Sequence, residues 1–203
     1  MKALIIFTKN PQLGKVKTRL AKDIGDRNAL VIYQHLLKHT LQISVDLQVN
    51  RLLYYDQQID HQDQWPEKYF QKAIQQGEDL GERMLNAFQN AFQQGYQQVV
   101  IIGSDCPDLS TALIESAFHQ LQNHDFVLGP ATDGGYYLLG MKYPERTLFQ
   151  NKVWSTHTVA EQTLADIHRL QKTCSLLPEL SDVDQITDLN PELRSLYSND
   201  IDL

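Results

Sequence analysis

The sequence predicts an α/β sandwich built on a mostly parallel sheet, and three observations carry that expectation. Short runs of β-branched, aliphatic and aromatic residues alternate along the chain with segments of helical spacing. The runs ALIIFT (3–8), RLLYYD (51–56) and VVIIG (99–103) show little apolar–polar alternation, as strands buried on both faces do. No Pro/Gly/Ser linker divides the 203 residues, a length that suits one domain, 1–203, with a substantial core.

The elements follow in order. ALIIFT opens as a buried strand, and KNPQLGKVK follows as a loop punctuated by Pro11 and Gly14. Residues 26–45 place Leu30, Tyr33, Leu36, Leu37, Leu41 and Val45 on one helical face. After RLLYYD, a polar stretch leads to a short strand over 69–74. A helix is expected from Asp79 to about Gln94, stopped by Gly95. VVIIG is the next strand, and Ser110 is placed to cap a helix reaching about Gln122. FVLGP (126–130) and GYYLLGM (135–141) read as two strands joined through DGG, a hairpin turn. WSTHTVAEQTLADIHRL turns helical in its second part, CSLLPEL (174–180) reads as an edge strand, and 181–197 gives a helical turn and tail. The paired glutamines show no repeat period.

Composition narrows the function. Hydrophobic content of 42% and charged content of 21% are ordinary for a globular protein, and no apolar run approaches the length of a bilayer span. No signal-peptide layout opens the chain, and Cys106 and Cys174 form neither a disulfide framework nor a C-x-x-C motif. A cytoplasmic setting is expected. The net charge of −7 argues against nucleic acid as a partner. The basic residues crowd the beginning: Lys2, Lys9, Lys15, Lys17, Arg19, Lys22 and Arg27 face only Asp23 and Asp26 there. A small polyanion such as a nucleotide fits that asymmetry, although solvated helix charges would look the same.

Open parallel sheets build sites beyond the carboxyl ends of their strands, near a switch in strand order. Three segments carry suitable chemistry there. GKVKTRLA (14–21) departs twice from a P-loop, with Lys9 where the first glycine belongs and Val16 where Ser or Thr belongs. What remains is a glycine followed by Lys15, Lys17 and Arg19, a cradle for phosphate oxygens if it is more than a solvated turn. If a helix begins near Lys15, Lys15 and Arg19 share a face. SDCPD sets Asp105 and Asp108 at a strand-end turn as hard oxygen donors for Mg²⁺ or Mn²⁺. Asp108 equally suits the start of the next helix, and Cys106 reads as a packed small side chain. In ATDGG, Asp133 is able to orient or deprotonate an acceptor, and the glycines let a ligand approach the backbone. Asp182, Asp184 and Asp188 lie in SDVDQITDL, where capping explains some of them. Trp154 and His157 stand among hydroxyls, and the histidine reads as structural.

Taken in order, FTKNPQLGKVKTRLA, GEDLGERM, VIIGSDCPDL, LGPATDGGYYLLGM, VWSTHTV and DVDQITDL resemble the GT-A-fold family of arsenosugar-biosynthesis-type glycosyltransferases, also described as nucleotide-diphospho-sugar transferase-like. The resemblance spans nearly the whole chain. More distantly, the chain is similar to the 2-phospho-lactate and molybdenum-cofactor guanylyltransferases. The resemblance implies a three-layer, Rossmann-like GT-A sandwich and a transferase acting on a nucleotide or nucleotide-sugar donor and a small acceptor. It implies Lys15, Lys17 and Arg19 at the nucleotide, Asp105 and Asp184 at Mg²⁺ or Mn²⁺, and Asp133 with Gly134 and Gly135 on the acceptor or phosphate side; Trp154 is expected on the acceptor side as well. The L-A-A-G-x-G-T-R opening of sugar-1-phosphate nucleotidyltransferases is absent, and the D-x-D is stretched to SDCPD. Glycosyl transfer is therefore the leading expectation. Nucleotidyl transfer with pyrophosphate release, and nucleotide binding without turnover, stay open beside it.

Overall fold

The computed structural model describes residues 1–198. Seven strands form one sheet: β1 (Lys2–Thr8), β2 (Asn50–Tyr55), β3 (Phe70–Ile74), β4 (Gln98–Ile102), β5 (Phe126–Pro130), β6 (Tyr136–Met141) and β7 (Cys174–Leu176). Their spatial order is β3-β2-β1-β4-β6-β5-β7. All pair in parallel except β6, which runs antiparallel to both β4 and β5. The order reverses direction between β1 and β4, which is where an open α/β sheet leaves its crevice.

Alternate strand residues supply two cores. Leu4, Ile6, Val100, Ile102 and Val127 meet helices α1 (Ala21–Val45) and α3 (Thr111–Gln120) through Tyr33, Leu37, Ile114 and Phe118. Ala3, Ile5, Val99, Ile101 and Leu128 meet α2 (Leu80–Gln93) and α4 (Val159–Arg169) through Met84, Phe88, Ala91 and Ile167. Strands packed on both faces explain why their sequences lack polar alternation. Each fully buried side chain such as Phe88 contributes about 2–3 kcal/mol of burial. This is the expected three-layer sandwich.

A third cluster lies outside the sheet. Leu20, Ile32 and Leu36 of the α1 region enclose Val183, Leu189 and Leu193, the last from α5 (Pro191–Ser198). It ties the late acidic segment to the beginning of the chain.

Two expected boundaries shift. The segment from Leu13 to Leu20 forms turns, and α1 begins only at Ala21, broken again at Gly25 (φ 81°, ψ 156°). Lys15 and Arg19 therefore share no helical face; the regular helix starts where the 26–45 spacing placed it. The edge strand β7 keeps three residues, because Pro178 has no N–H to extend the ladder. Beyond the proline, the Leu180 amide donates to the Pro130 carbonyl, so the chain still follows β5 to its end.

Candidate active site

The carboxyl edge of the sheet gathers most of the expected residues. Lys9 and Asn10 follow β1 directly. The Asn10 side chain exchanges hydrogen bonds with the backbone of Gln58, and the Asn10 backbone N–H donates to Asp56 Oδ1 (2.7 Å), both partners lying beyond β2. Tyr33 rises from α1 to the same edge. Its hydroxyl accepts from the Lys9 amide (2.9 Å) and lies 3.3 Å from the hydroxyls of Thr8 and Ser104. Burial raises the phenol above its ordinary range, with these hydrogen bonds opposing. One tyrosine thus fixes the exits of both β1 and β4.

Two buried valines and a leucine aim the charged groups. Val16 is buried in the α1-side core, and Lys17 beside it, at φ 46°, reaches Asp105 with Nζ 2.9 Å from Oδ2. Leu20 is buried in the third cluster, and Arg19 before it reaches Asp184 Oδ2 at 2.5 Å. Val183 belongs to that same cluster, and its amide donates to the Asp105 carbonyl (2.9 Å). Asp105 and Asp184 are thereby brought to one crevice, with Lys17 electrostatically engaged by both. Lys15 is exposed on the same loop.

The electrostatics are uneven. Burial alone would raise the Asp105 carboxyl, but the Lys17 ammonium bonded to it, with Lys9 nearby, holds it below the ordinary range. Burial alone would lower Lys17, and Asp105 and Asp184 hold it above its ordinary value. Burial and then the neighbouring Asp105 push the Asp182 carboxyl up to about 7, with Asp133 adding to the effect and Lys17 and the Cys106 thiol opposing it. Its Oδ1 is buried without a hydrogen bond.

The remaining expected residues fall into two groups. Asp188 is structural: its Oδ2 accepts from the amides of Asp184 (2.9 Å) and Gln185 (2.7 Å). Cys106 is buried, and burial raises its thiol, consistent with a packing role. Ser110 caps α3, leaving Asp108 exposed. At the far wall Asp133 Oδ1 accepts from the Gly135 amide (2.8 Å), a tight turn at the surface. Gly134 has φ 85°, and a Cβ there would lie 1.9 Å from the His157 carbonyl, so it serves a chain crossing. Trp154 lies flat against α2, where a Cβ on Gly81 would meet its ring at 2.3 Å. These contacts bring the DGG turn, the Trp154 loop and the start of α2 together as a second wall.

The donor set fits a hard divalent cation shared with a ligand. Among the described residues no three His, Cys, Asp or Glu side chains converge to enclose an ion. Mg²⁺ does not require that, since it takes one or two carboxylates and completes its octahedron with water and phosphate oxygens. The closeness of Asp182 to Asp105, with one Asp182 oxygen orphaned, is the kind of local repulsion a cation relieves.

Four contributors have no site role in the sequence pattern: Lys9 stands there as one of the crowded basic residues and a failed P-loop position, Tyr33 as an apolar helix residue, and Asn10 and Ser104 as unmarked loop residues. For Tyr33 a signal existed: a phenol among leucines on a buried helix face needs a hydroxyl partner. Asn10 and Ser104 carry no signal of that kind.

The family model for DUF2064, described as an uncharacterized protein conserved in bacteria, matches residues 40–156. No curated protein sequence matches the chain. Among solved structures, a protein from Desulfovibrio desulfuricans G20, provisionally assigned as a nucleotide-diphospho-sugar transferase, is 33% identical with a TM-score of 0.84; the match covers 97% of this chain and 92% of that one. Two distant structures share the fold alone. CMP:2-keto-3-deoxy-manno-octonic acid synthetase, solved with CTP, is 11% identical (TM-score 0.52, 98% of each chain). The 4-diphosphocytidyl-2C-methyl-D-erythritol synthase of Anaerococcus prevotii DSM 20548 is 8% identical (TM-score 0.54, 98% of this chain and 95% of that one).

Proposed function

We infer, for a chain that belongs to the DUF2064 family of uncharacterized proteins conserved in bacteria, that the crevice makes it a metal-dependent transferase with a nucleotide donor. The finer reading is a glycosyltransferase that moves a sugar from a nucleotide sugar to a small acceptor. The arsenosugar-biosynthesis type is the specific form that the six sequence motifs suggest. The observation that carries the reading is the meeting of Asp105 and Asp184 at one crevice, with Lys17 and Arg19 from the opening loop on those same carboxylates. The assignment of the Desulfovibrio relative supports it.

Lys15, Lys17 and Arg19 neutralise the donor's phosphate oxygens. Asp105 and Asp184 would hold Mg²⁺ or Mn²⁺, which when bound would offset charge on the leaving nucleoside diphosphate. Asp133, with Oδ1 held by the Gly135 amide, offers Oδ2 to orient the acceptor hydroxyl and take its proton. Gly134, Gly135 and Trp154 shape the acceptor side.

Product analysis tests this. Release of a nucleoside diphosphate from a nucleotide sugar, dependent on Mg²⁺ or Mn²⁺, is the expected result. Asp105→Ala should lower turnover at least about tenfold, the scale of one lost electrostatic contact to a developing charge. An Asp105→Ala enzyme with full activity would sink the metal role. A second reading, nucleotidyl transfer, draws on the shared fold with the cytidylyl-transferring synthetases. Pyrophosphate release from a nucleoside triphosphate would favour it. Binding with no product across the panel would leave a nucleotide-binding protein.

A further inference from the structure

We propose that the opening loop is the crevice's own counter-ion: Lys17 and Arg19 hold the cation's place on Asp105 and Asp184, so the crevice takes a divalent cation and a polyphosphate together, as one complex, and takes either alone poorly. The proposal rests on the transferase reading only for the choice of Asp105 and Asp184 as metal-binding carboxylates.

The geometry is one of paired occupancy. Lys17 Nζ sits 2.9 Å from Asp105 Oδ2, and the Arg19 guanidinium 2.5 Å from Asp184 Oδ2. Each acid engaged in these bonds is one a cation needs, and each base is one a phosphate needs. A lone divalent ion that takes Asp105 Oδ2 displaces Lys17, whose side chain is only 7% exposed and would lose its bonded anion. A lone polyphosphate that draws Lys17 off Asp105 leaves Asp105 and its neighbour Asp182 facing a polyanion with less positive charge beside them. Joint arrival exchanges both sets of partners at once: carboxylates pass to the metal, and ammonium and guanidinium pass to the phosphates. No charge is stranded.

The loop is built for an exchange of side chains. Val16 and Leu20 are buried on either side of Lys17 and Arg19, so the backbone stays anchored while the charged ends re-aim. The Asp105 side chain is 40% exposed, which keeps the carboxylate within reach of an incoming ion. By linkage, metal and polyphosphate must then raise each other's affinity by the same factor.

Calorimetry with Mn²⁺ alone, inorganic pyrophosphate in EDTA, and the preformed Mn²⁺–pyrophosphate complex reads this without turnover. The wild-type chain should bind the complex at least tenfold more tightly than either component. Arg19→Ala, at an exposed side chain, should tighten binding of Mn²⁺ alone by about two- to fivefold, the worth of a surface pair. Lys17→Gln should tighten it about tenfold or more. Lys22→Ala, which removes an exposed charge a few residues away, should leave it unchanged. The Arg19 variant decides the matter if loss of Lys17 prevents folding. Wild-type binding of Mn²⁺ alone as tight as that of the complex, or no tightening in Arg19→Ala, would overturn the proposal while leaving the metal reading intact. Pyrophosphate binding equally well with and without Mn²⁺, and no Mn²⁺ binding by any variant, would overturn the metal reading and this proposal with it.

Discussion

Lys17 and Lys152 are both enclosed lysines paired with an aspartate, and what surrounds each pair is different. Lys152, 2% exposed, donates to Asp166 Oδ2, while Arg169 donates to Oδ1 at 2.9 Å. Both oxygens of that carboxylate are satisfied, and the group closes the junction between α4 and the turn before it. At the crevice, Lys17 takes one oxygen of Asp105, Asp182 keeps a buried oxygen without a partner, and Asp105 stays two-fifths exposed. Both regions place charge in a poorly solvated setting, which is costly. The α4 region satisfies both oxygens of its one carboxylate, whereas the crevice keeps a buried carboxylate oxygen that a ligand is able to satisfy. That difference separates a candidate site from a structural ion pair more sharply than burial does, since both lysines are buried.

The largest expected effect belongs to the balanced region. Asp166→Ala leaves Lys152 buried and unpaired, and breaking such a pair costs about 3 kcal/mol or more. Urea denaturation should show that loss, while binding of Mn²⁺–pyrophosphate by the folded variant stays at the wild-type level. A variant of normal stability that no longer binds would make Asp166 part of the site and erase the distinction.

Asp182→Asn should act in the opposite sense. At pH 8 the wild-type carboxyl is charged, buried and close to Asp105, so its neutral replacement should stabilise the metal-free chain by about 1 kcal/mol. Binding of Mn²⁺–pyrophosphate should weaken in the same variant. Stability lost together with binding would mean that Asp182 has a structural partner, and the crevice would then resemble the α4 region.

The same contrast explains what was legible in the sequence. The strands could be read because two-sided burial leaves unbroken apolar runs, and Asp105 because it follows one of them at a stiff turn. The segments KVK (15–17) and DVD (182–184) share a pattern whose meaning lies in packing: a central valine is buried, and at least one flanking charge is thereby carried to the crevice. Sequence supplies the charges but not the depth of the valine. That is why Lys17 could not be distinguished from exposed Lys15, nor could Asp182 be ranked against Asp188. Asp188 proved to be a cap, whereas Asp182 holds the orphaned oxygen. Turn residues such as Asn10, whose partners lie beyond another strand, depend on strand order, which local spacing does not encode.

The smallest effect lies at the opposite edge of the sheet, where Asp125 precedes β5. Its Oδ2 accepts from the Thr173 amide (3.0 Å) and hydroxyl (2.9 Å), which join the start of β5 to that of β7. The Thr173 amide, aided by that hydroxyl, holds the Asp125 carboxyl below the ordinary carboxylate value, despite a small opposing effect of burial. A carboxyl depressed in the folded state contributes stability above its unfolded pKa and loses it as pH falls through the folded value. Asp125→Ala should therefore lower Tm by about 1 °C at pH 7, since the group is largely solvated. The gap to the wild-type chain should close as pH drops below the carboxylate range. Measured against Asp182→Asn, the sign should reverse: at neutral pH and above, removing the satisfied acid at one edge destabilises the fold, and removing the unsatisfied acid at the other stabilises it. A Tm difference for Asp125→Ala that persisted unchanged to pH 2.5 would show that the Thr173 contacts do not depend on the charge, and the contrast would then rest on the crevice alone.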